Sequence, residues 1–381
     1  MTRLTLYFAT NRAHEGDNRW RPKRYGATFS NDGMENLRFG RLTLEAEEER
    51  VKRFVQADLG TCGSGNGEKL ADYLTKCAMQ ADIQAFPEKL DASTADTSQP
   101  DAKLGSKAMF AELKDWMTQA SDAVVFVHGF NVSWESAVGS ALSLQTMLQL
   151  SPARDAEQNV AVVLFSWPSD GLALPFVSYK SDRSEATGSG NAFGRGLLKV
   201  RDFLAALRDR ARRGGDVLCN QDIHLLCHSM GNFLLQNALE RIDAFTAGSV
   251  LPRLFANVFL CAPDVDDDVL EPGQPLGRLN EIAQGITVYH NHGDVAMVIS
   301  DFTKGNPERL GGAGAARPSL LHNKLEQIDC TPIVKGMVEH SYYLSGHVNA
   351  DIRQTIDGMA AEDPKRRRVS DPAAPNAWRM R

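Results

Sequence analysis

Short runs of apolar, largely β-branched residues recur from residue 123 onward and alternate with segments of helical periodicity. Several runs are apolar at nearly every position, which is typical of central parallel strands covered on both faces. The alternation predicts an α/β fold, with a mostly parallel sheet flanked by helices and joined by right-handed crossovers. The predicted strands are Ala123–Val127, Val160–Phe165, Ile223–Cys227, Leu254–Cys261 and Ile286–His290. The predicted helices are Ser133–Gln149, Ala192–Arg212, Met230–Ala244 and His347–Ala360.

The N-terminal residues follow a different pattern from the rest of the chain. Leu4–Ala9 and Gly40–Glu45 read as two strands separated by a polar stretch, and we expect them to form an antiparallel edge of the sheet. Residues 86–107 are rich in Asp, Ser, Thr and Pro, and 301–325 contains a Gly-rich stretch, so both predict loop insertions. Neither loop separates two self-sufficient cores, and we therefore predict a single domain over residues 1–360.

Charge is distributed unevenly along the chain. Residues 364–381 contain six basic side chains and one acidic residue, Asp371, whereas the whole chain has a net charge of −6. The acidic body argues against broad electrostatic binding of nucleic acid. We expect the basic segment 361–381 to be a solvated, disordered tail.

The six cysteines are too few for a disulfide scaffold in a chain of 381 residues. No stretch reaches the roughly 18 uninterrupted apolar residues of a membrane span. The N-terminal sequence lacks the apolar stretch of a signal peptide. These features predict a cytoplasmic protein without a transmembrane segment.

The most informative segment is a buried strand that begins at Ile223 and leads directly into a helix through Cys227-His-Ser-Met-Gly231. This matches the G-x-S-x-G nucleophile elbow, in which a sharp strand-to-helix turn exposes a serine, except that cysteine replaces the first glycine. The elbow predicts Ser229 as a nucleophile, close to the positive end of the following helix dipole. Cys227 is a weaker candidate, because its position at the strand end predicts a buried thiol.

An acyl-transfer site also needs N–H groups that bind the oxyanion of the tetrahedral intermediate. The backbone amide of Met230, directly after the serine, is one expected donor. The second is expected on the loop after an earlier strand, where His128-Gly-Phe130 follows an apolar run. We therefore predict the amides of Phe130 and Met230 as the oxyanion hole, and a structural role for His128.

In this type of site the acid and the histidine follow the serine in that order. Asp294 follows the predicted strand Ile286–His290, and His340 follows a last strand expected near Ile328–Val334. We predict His340 as the general base and Asp294 as the residue that orients it. Asp264 remains an alternative acid and His347 an alternative base.

Two groups of side chains could bind a metal. His290, His292 and Asp294 are spaced by two residues and could lie on one side of a strand. Asp264 and the run Asp266–Asp268 could offer a calcium site. A strand end and a solvated acidic loop are the simpler interpretations, so the predicted chemistry needs no metal and no cofactor.

These motifs together resemble the bacterial α/β-hydrolase domain family of unknown function whose members are often described as esterase/lipase-superfamily proteins. The resemblance implies a serine-hydrolase fold and a Ser-His-Asp triad, but no substrate. Cys227 departs from it, since the family more often has a smaller residue such as Ala there. The matching segments are Phe8–Arg12, Val127–Asn131, Phe165–Ser169, Tyr179 with Asp182, His228–Asn232, Ala262–Asp264, Asp294 with Ala296 and Met297, and His340–Tyr342.

Three residues of these segments, Trp167, Tyr179 and Asp182, follow the predicted strand Val160–Phe165. They are candidates for lining a substrate pocket. Packing and hydrogen bonding are the favoured interpretation, because aromatic residues near active sites are often part of the core.

The sequence as a whole predicts a carboxylic-ester hydrolase that forms an acyl-enzyme on Ser229. Its expected partner is a small-molecule or lipid-like acyl ester. A lipase or phospholipase, thioesterase, amidase or acyltransferase could use the same residues, and a non-catalytic binding protein could keep the fold.

Overall fold

The computed structural model describes residues 1–87, 104–119, 122–149, 160–169, 175–215, 221–297, 308–334, 340–372, 374 and 376–381. The strands are β1 (Thr2–Thr10), β2 (Arg12–Glu15), β3 (Arg24–Phe29), β4 (Arg38–Ala46), β5 (Asp82–Ala85), β6 (Ala123–Val127), β7 (Ala161–Ser166), β8 (Ile223–His228), β9 (Phe255–Cys261), β10 (Ala283–His290), β11 (Leu325–Asp329), β12 (Arg368–Ser370) and β13 (Ala377–Met380). The helices are α1 (Glu48–Val55), α2 (Gly67–Ala78), α3 (Gly105–Gln119), α4 (Trp134–Gln149), α5 (Pro175–Arg212), α6 (Gly231–Phe245), α7 (Leu279–Ile282), α8 (Leu310–Ala313) and α9 (Gly346–Ile356).

Eleven of these strands form one sheet, in the order β12-β13-β11-β10-β9-β8-β6-β7-β1-β4-β5. Its centre, from β7 to β11, is parallel throughout, as the sequence predicts. On β6, for example, Val125 lies opposite Val163 of β7 and Leu225 of β8. Because the central strands are parallel, their C-terminal ends meet at one edge, where the candidate catalytic residues lie.

Side chains of each strand alternate between two apolar cores, one on each face of the sheet. On β8, Leu226 joins a core that includes α2, α4 and α9. Its neighbours Leu225 and Cys227 point to the opposite core, which includes α5 and α6. This double coverage explains why the central strands are apolar at nearly every position.

The predicted antiparallel edge is confirmed. Strand β1 pairs antiparallel with β4, so that Leu6 lies opposite Leu42, and β5 extends the sheet beyond β4. The other side of β1 pairs parallel with β7, which joins this edge to the parallel centre.

Helix α5 begins at Pro175, well before the predicted start at Ala192. The polar, Gly-containing stretch before Ala192 has little helix propensity, so the sequence pattern does not predict a helix there. Tertiary packing accounts for Gly190, because a Cβ there would lie 2.5 Å from the Cβ of Asn237 on α6. The glycine lets the two helices approach closely.

The prediction that 361–381 forms a disordered tail is wrong. Strand β13 pairs parallel with β11, and β12 pairs antiparallel with β13, so the segment extends the sheet. Three of its six basic residues, Arg366, Arg368 and Arg379, pair with acidic side chains. Arg366 binds the buried carboxylate of Asp351 at 2.8 Å, and Arg368 lies 3.1 Å from Glu326.

The two predicted loop insertions are only partly described. Residues 88–103 and 298–307 lie outside the described residues. The described part of 301–325 contains the short helix α8, and the last predicted strand begins earlier than expected, at Leu325. None of the helices in the described ranges is long and apolar enough to cross a membrane.

Candidate active site

Ser229 lies at the sharp turn between β8 and α6, with a backbone φ of 53°. Few non-glycine residues adopt this left-handed conformation, and it is a feature of nucleophile elbows. The Ser229 N–H donates to the carbonyl of Cys261 on β9 at 3.0 Å. The side-chain amide of Asn232 donates to the carbonyls of Cys227 and Ser229 at 3.1 and 3.0 Å. These bonds fix the strained turn.

Two glycines allow the loop after β6 to pack directly against this turn. A Cβ at Gly231 would lie 2.8 Å from the carbonyl oxygens of Val127 and His128. A Cβ at Gly129 would lie 2.7 Å from the Cβ of Ser229. A larger residue at either position would push the loop away from the serine.

Cys227, at the first position of the motif, is completely buried. Burial raises the pKa of its thiol far above the usual value for cysteine. The side chain therefore acts as a small apolar group, as expected from its position at the strand end.

Asp294 and His340 are brought together although they are 46 residues apart. The Nδ1 of His340 lies 2.7 Å from Oδ2 of Asp294. The Asp294 side chain is almost fully buried, whereas 23% of the His340 side chain is exposed. A carboxylate in this position favours the tautomer with a proton on Nδ1, which leaves Nε2 free to accept a proton.

His228 connects this pair to the elbow. Its Nε2–H donates to the carbonyl of His340 at 3.1 Å, and the centroids of the two imidazole rings are 4.6 Å apart. The ring of Tyr343 lies on it as well, with the centroids 4.7 Å apart. Burial lowers the pKa of His228 well below its usual value, so this imidazole is neutral. His340 is thus held against the residue that immediately precedes Ser229.

The alternative acid lies beside the elbow, because the N–H of Asp264 donates to the carbonyl of Ser229 at 3.2 Å, but its carboxylate has other partners. Asp264 accepts a hydrogen bond from the hydroxyl of Tyr179 at 2.9 Å, and its other oxygen lies 3.5 Å from Arg309. His347 lies in the first turn of α9 against the backbone of Gly63. Asp294, the acid favoured from the sequence, contacts His340 directly.

The two predicted oxyanion donors flank the serine. Met230 follows Ser229 and is fully buried, and Phe130 follows Gly129, which packs against Ser229. Neither backbone N–H donates a hydrogen bond to any residue in the described part of the chain.

A buried network holds the Phe130 loop in place. Asn131, with φ 59°, donates its N–H to Asp182 at 3.0 Å, and Asp182 also accepts from the hydroxyl of Ser169 at 2.5 Å. Arg12 donates to the carbonyl of Val132 at 2.8 Å and to that of Ser169 at 3.2 Å. Burial lowers the pKa of this arginine to about 9.

His128 is part of the same network. Its Nδ1 lies 2.9 Å from the carbonyl of Gly129, and its Nε2 accepts from the N–H of Trp167 at 3.2 Å. Trp167 stacks on the imidazole at a centroid distance of 5.2 Å. Burial, and next the charge of Arg12, lower the pKa of His128 to about 3. The ring is neutral and has the structural role predicted for it.

A profile of the family described as alpha/beta hydrolase of unknown function (DUF900) matches residues 106–355. The chain belongs to this family. The match covers the elbow, the Phe130 loop, Asp294 and His340. No curated protein matches the sequence.

Solved structures similar to this α/β hydrolase include several esterases and lipases. Aspergillus fumigatus lipase B is 9% identical with a TM-score of 0.34, and the alignment covers 63% of this chain but only 52% of the lipase. Esterase B from Lactobacillus rhamnosis is 12% identical with a TM-score of 0.33, covering 63% of this chain and 76% of the esterase. The esterase from Pyrobaculum calidifontis is 13% identical with a TM-score of 0.29, covering 63% and 77%.

A large cavity of the described structure lies between the sheet and the helices α3 and α5. It has a volume of about 630 Å³ and is lined by apolar residues of α3 and α5. Ala123, Ile223 and Phe255 form part of its wall, at the N-terminal ends of their strands. Ser229 lies at the opposite, C-terminal ends of the strands.

Neither of the two residue groups considered as possible metal ligands converges as a group in the described structure. Asp294 binds His340 and the N–H of Ala296 instead of joining His290 and His292. In the acidic run, Asp266 pairs with Arg309, and no group of three converging ligands forms there among the described residues.

Sequence reasoning favoured packing and hydrogen bonding for Trp167, Tyr179 and Asp182, as the structure has them, but gave no bracing role to Arg12 or Ser169. Arg12 and Ser169 belong to segments that match the family, but charge and hydropathy gave no sign that the arginine would be buried. Trp167, a candidate for lining the pocket, is fully buried against His128. Tyr179 contacts the ring of Phe130, with the centroids 5.6 Å apart.

Proposed function

We propose that this α/β hydrolase is a serine hydrolase that cleaves a carboxylic ester through an acyl-enzyme intermediate. The observation that carries the proposal is the 2.7 Å contact between His340 and Asp294, held against the elbow by His228. A serine at a left-handed turn is activated at neutral pH when an imidazole–carboxylate pair takes its proton, and His228, the residue before Ser229, contacts this pair.

In the proposed reaction, the hydroxyl of Ser229 attacks the acyl carbonyl carbon and transfers its proton to Nε2 of His340. Asp294 accepts a hydrogen bond from Nδ1–H and stabilises the imidazolium that forms. The imidazolium then protonates the leaving alcohol as the ester C–O bond breaks. Water, deprotonated by His340, attacks the acyl-enzyme and releases the acid together with the free serine.

The oxyanion formed in both steps would accept hydrogen bonds from the N–H groups of Phe130 and Met230. Support comes from their lack of acceptors in the described structure and from the packing of Gly129 on Ser229. Each such donor contributes about 2.7–4 kcal/mol to transition-state stabilisation in related chemistry. The network of Arg12 and Asp182 would keep the Phe130 loop preorganised.

We propose a small-molecule or lipid-like acyl ester as the substrate, and the cytoplasm as the location. The location is consistent with the cysteines, since Cys62, Cys77, Cys227, Cys261 and Cys330 are all free thiols. Acyl transfer on the proposed triad needs no cofactor.

A fluorophosphonate probe, which phosphonylates activated serines, tests the nucleophile directly. We expect stoichiometric labelling of the native protein, no labelling of Ser229→Ala, and normal labelling of the control Ser184→Ala, which replaces an exposed serine on α5. Unlabelled native protein, or equal labelling of the Ser229→Ala protein, would refute the proposal and favour a non-catalytic binding protein.

The substrate class is tested with a panel of short and long acyl esters, thioesters and amides. We expect ester hydrolysis in the native protein and a loss of about 10⁶-fold in kcat on Ser229→Ala. Faster turnover of thioesters, or acyl transfer to an alcohol in place of hydrolysis, would keep the triad and replace the ester assignment.

A further inference from the structure

A second cluster of reactive side chains lies at the C-terminal ends of β10 and β11. His290 ends β10 and is the register partner of Asp329, which ends β11. His292 follows two residues after His290. One ligand atom from each of these three side chains lies within 4.8 Å of the others. The proposed hydrolase mechanism uses none of them.

The side chain of His290 contains a buried nitrogen that lacks a hydrogen-bond partner among the described residues. The residue is 94% buried, its exposed fraction being 6%, and its Nδ1 makes no hydrogen bond to any residue that the structure describes. Leaving a buried polar atom unpaired costs about 1–3 kcal/mol. Binding of a cation by this nitrogen, together with the neighbouring imidazole and carboxylate, would remove this cost.

The surroundings of the other two side chains suit a metal site. Asp329 accepts from the N–H of Thr331 at 2.9 Å on one oxygen and from Arg379 at 3.1 Å on the other. Each oxygen keeps another lone pair, and ligating carboxylates are commonly fixed by such outer partners. The N–H of His292 donates to the hydroxyl of Thr331 at 3.0 Å, so Thr331 braces two ligands at once.

We propose that His290, His292 and Asp329 bind one Zn²⁺ ion, with water as the fourth ligand. Two imidazoles and one carboxylate are typical ligands of zinc. Tetrahedral zinc places its ligand atoms about 3.4 Å apart, so atoms that lie within 4.8 Å of one another must approach by up to about 1.4 Å. The ring of His292 is exposed and can make this movement.

The bound ion would also tie the Asp294 loop to β11, since His292 and Asp294 lie in the same short turn. In that turn the N–H of Asp294 donates to the carbonyl of Asn291 at 3.1 Å. This consequence rests on the proposed function, whereas the binding of zinc does not.

Isothermal titration of the full, untagged chain with ZnCl₂ after EDTA treatment and dialysis tests the site. We expect one site per chain in the native protein and in the control His14→Ala, which removes an exposed histidine on β2. His292→Ala and Asp329→Asn each remove a direct ligand. Each should weaken zinc binding by more than about 100-fold, which is the upper end of the loss caused by changes to groups that only contact a ligand. Absence of binding in the native protein, or undiminished binding in both ligand variants, would overturn the proposal.

Replacement of Zn²⁺ by Co²⁺ provides a readout independent of activity. Tetrahedral coordination should give intense visible absorption bands, and these bands should disappear in His292→Ala. The exposed position of His292 makes its replacement compatible with folding, which circular dichroism verifies. Labelling of Ser229 by the fluorophosphonate probe is measured in the same samples, so that loss of the zinc site and failure of the hydrolase assignment give different results.

Discussion

Acid sensitivity of folding is a direct consequence of the buried, neutral His128. Its pKa is about 3 in the folded protein because burial and the charge of Arg12 disfavour the imidazolium. In the unfolded chain a histidine has a pKa of about 6.5. Between these values the unfolded state binds a proton that the folded state does not, so stability falls as the pH is lowered.

The magnitude follows from the size of this interval. Each pH unit below about 6.5 reduces the free energy of unfolding by about 1.36 kcal/mol, until the folded pKa is reached. At pH 5 the contribution of His128 is therefore about 2 kcal/mol less favourable than at pH 7. This is a large fraction of the roughly 5–15 kcal/mol by which native domains are stable.

The assay is urea unfolding at pH 7 and pH 5 of the native protein and of His128→Gln. The glutamine can still accept a hydrogen bond from Trp167 but does not titrate, so its loss of stability between the two pH values should be smaller by about 2 kcal/mol. The control His14→Gln, at an exposed histidine, should behave like the native protein. An equal pH dependence in the native protein and His128→Gln would refute the reasoning.

Three further predictions concern the acid, the oxyanion loop and the C-terminal strands. Asp294→Asn should lower kcat by about 10⁴-fold in steady-state ester hydrolysis, because the wrong tautomer of the histidine is favoured. Gly129→Ala should lower kcat/KM by about 10²–10³-fold, because its Cβ would lie 2.7 Å from that of Ser229 and displace an oxyanion donor. Arg366→Met should reduce the free energy of unfolding by about 3 kcal/mol in urea titrations, because the buried Asp351 would lose its nearest arginine and keep the hydroxyl of Tyr289 and the more distant Arg368.

Matched control variants distinguish these specific effects from a nonspecific loss of folding or activity caused by any substitution. Gly312→Ala introduces a Cβ with ordinary contacts at 3.4 Å, and Arg367→Met replaces an exposed arginine; both should behave like the native protein. Full activity in Gly129→Ala, or native stability in Arg366→Met, would contradict the packing described above. If Asp264→Asn is inactive and Asp294→Asn is active, Asp264 replaces Asp294 as the acid of the proposed triad.

The sequence predicted the features that local pattern determines. The parallel strands follow from uninterrupted apolar runs, and the elbow follows from a motif whose spacing reflects the geometry of one turn. The order of strands along the chain also placed Asp294 and His340 at the same edge of the sheet. The 2.7 Å contact between them agrees with that expectation.

Features that depend on distant partners could not be read from the sequence. The basic run containing Arg366 and Arg368 looks like a solvated tail until Asp351 and Glu326 are found beside it. The buried Arg12 donates to backbone carbonyl groups 14 to 157 residues away in the sequence. Every residue has a backbone carbonyl, so the amino-acid sequence cannot indicate which of them Arg12 will bind.

The left-handed backbone at Ser229 and Asn131 has a consequence for how this protein can be engineered. Each conformation is disfavoured by about 1–3 kcal/mol and persists only because surrounding contacts enforce it. Ser229→Gly would relieve this strain at the turn while removing the proposed nucleophile. Selection for thermostability alone should therefore enrich variants that have lost the proposed activity. A screen for thermostable variants of this fold must also measure substrate turnover.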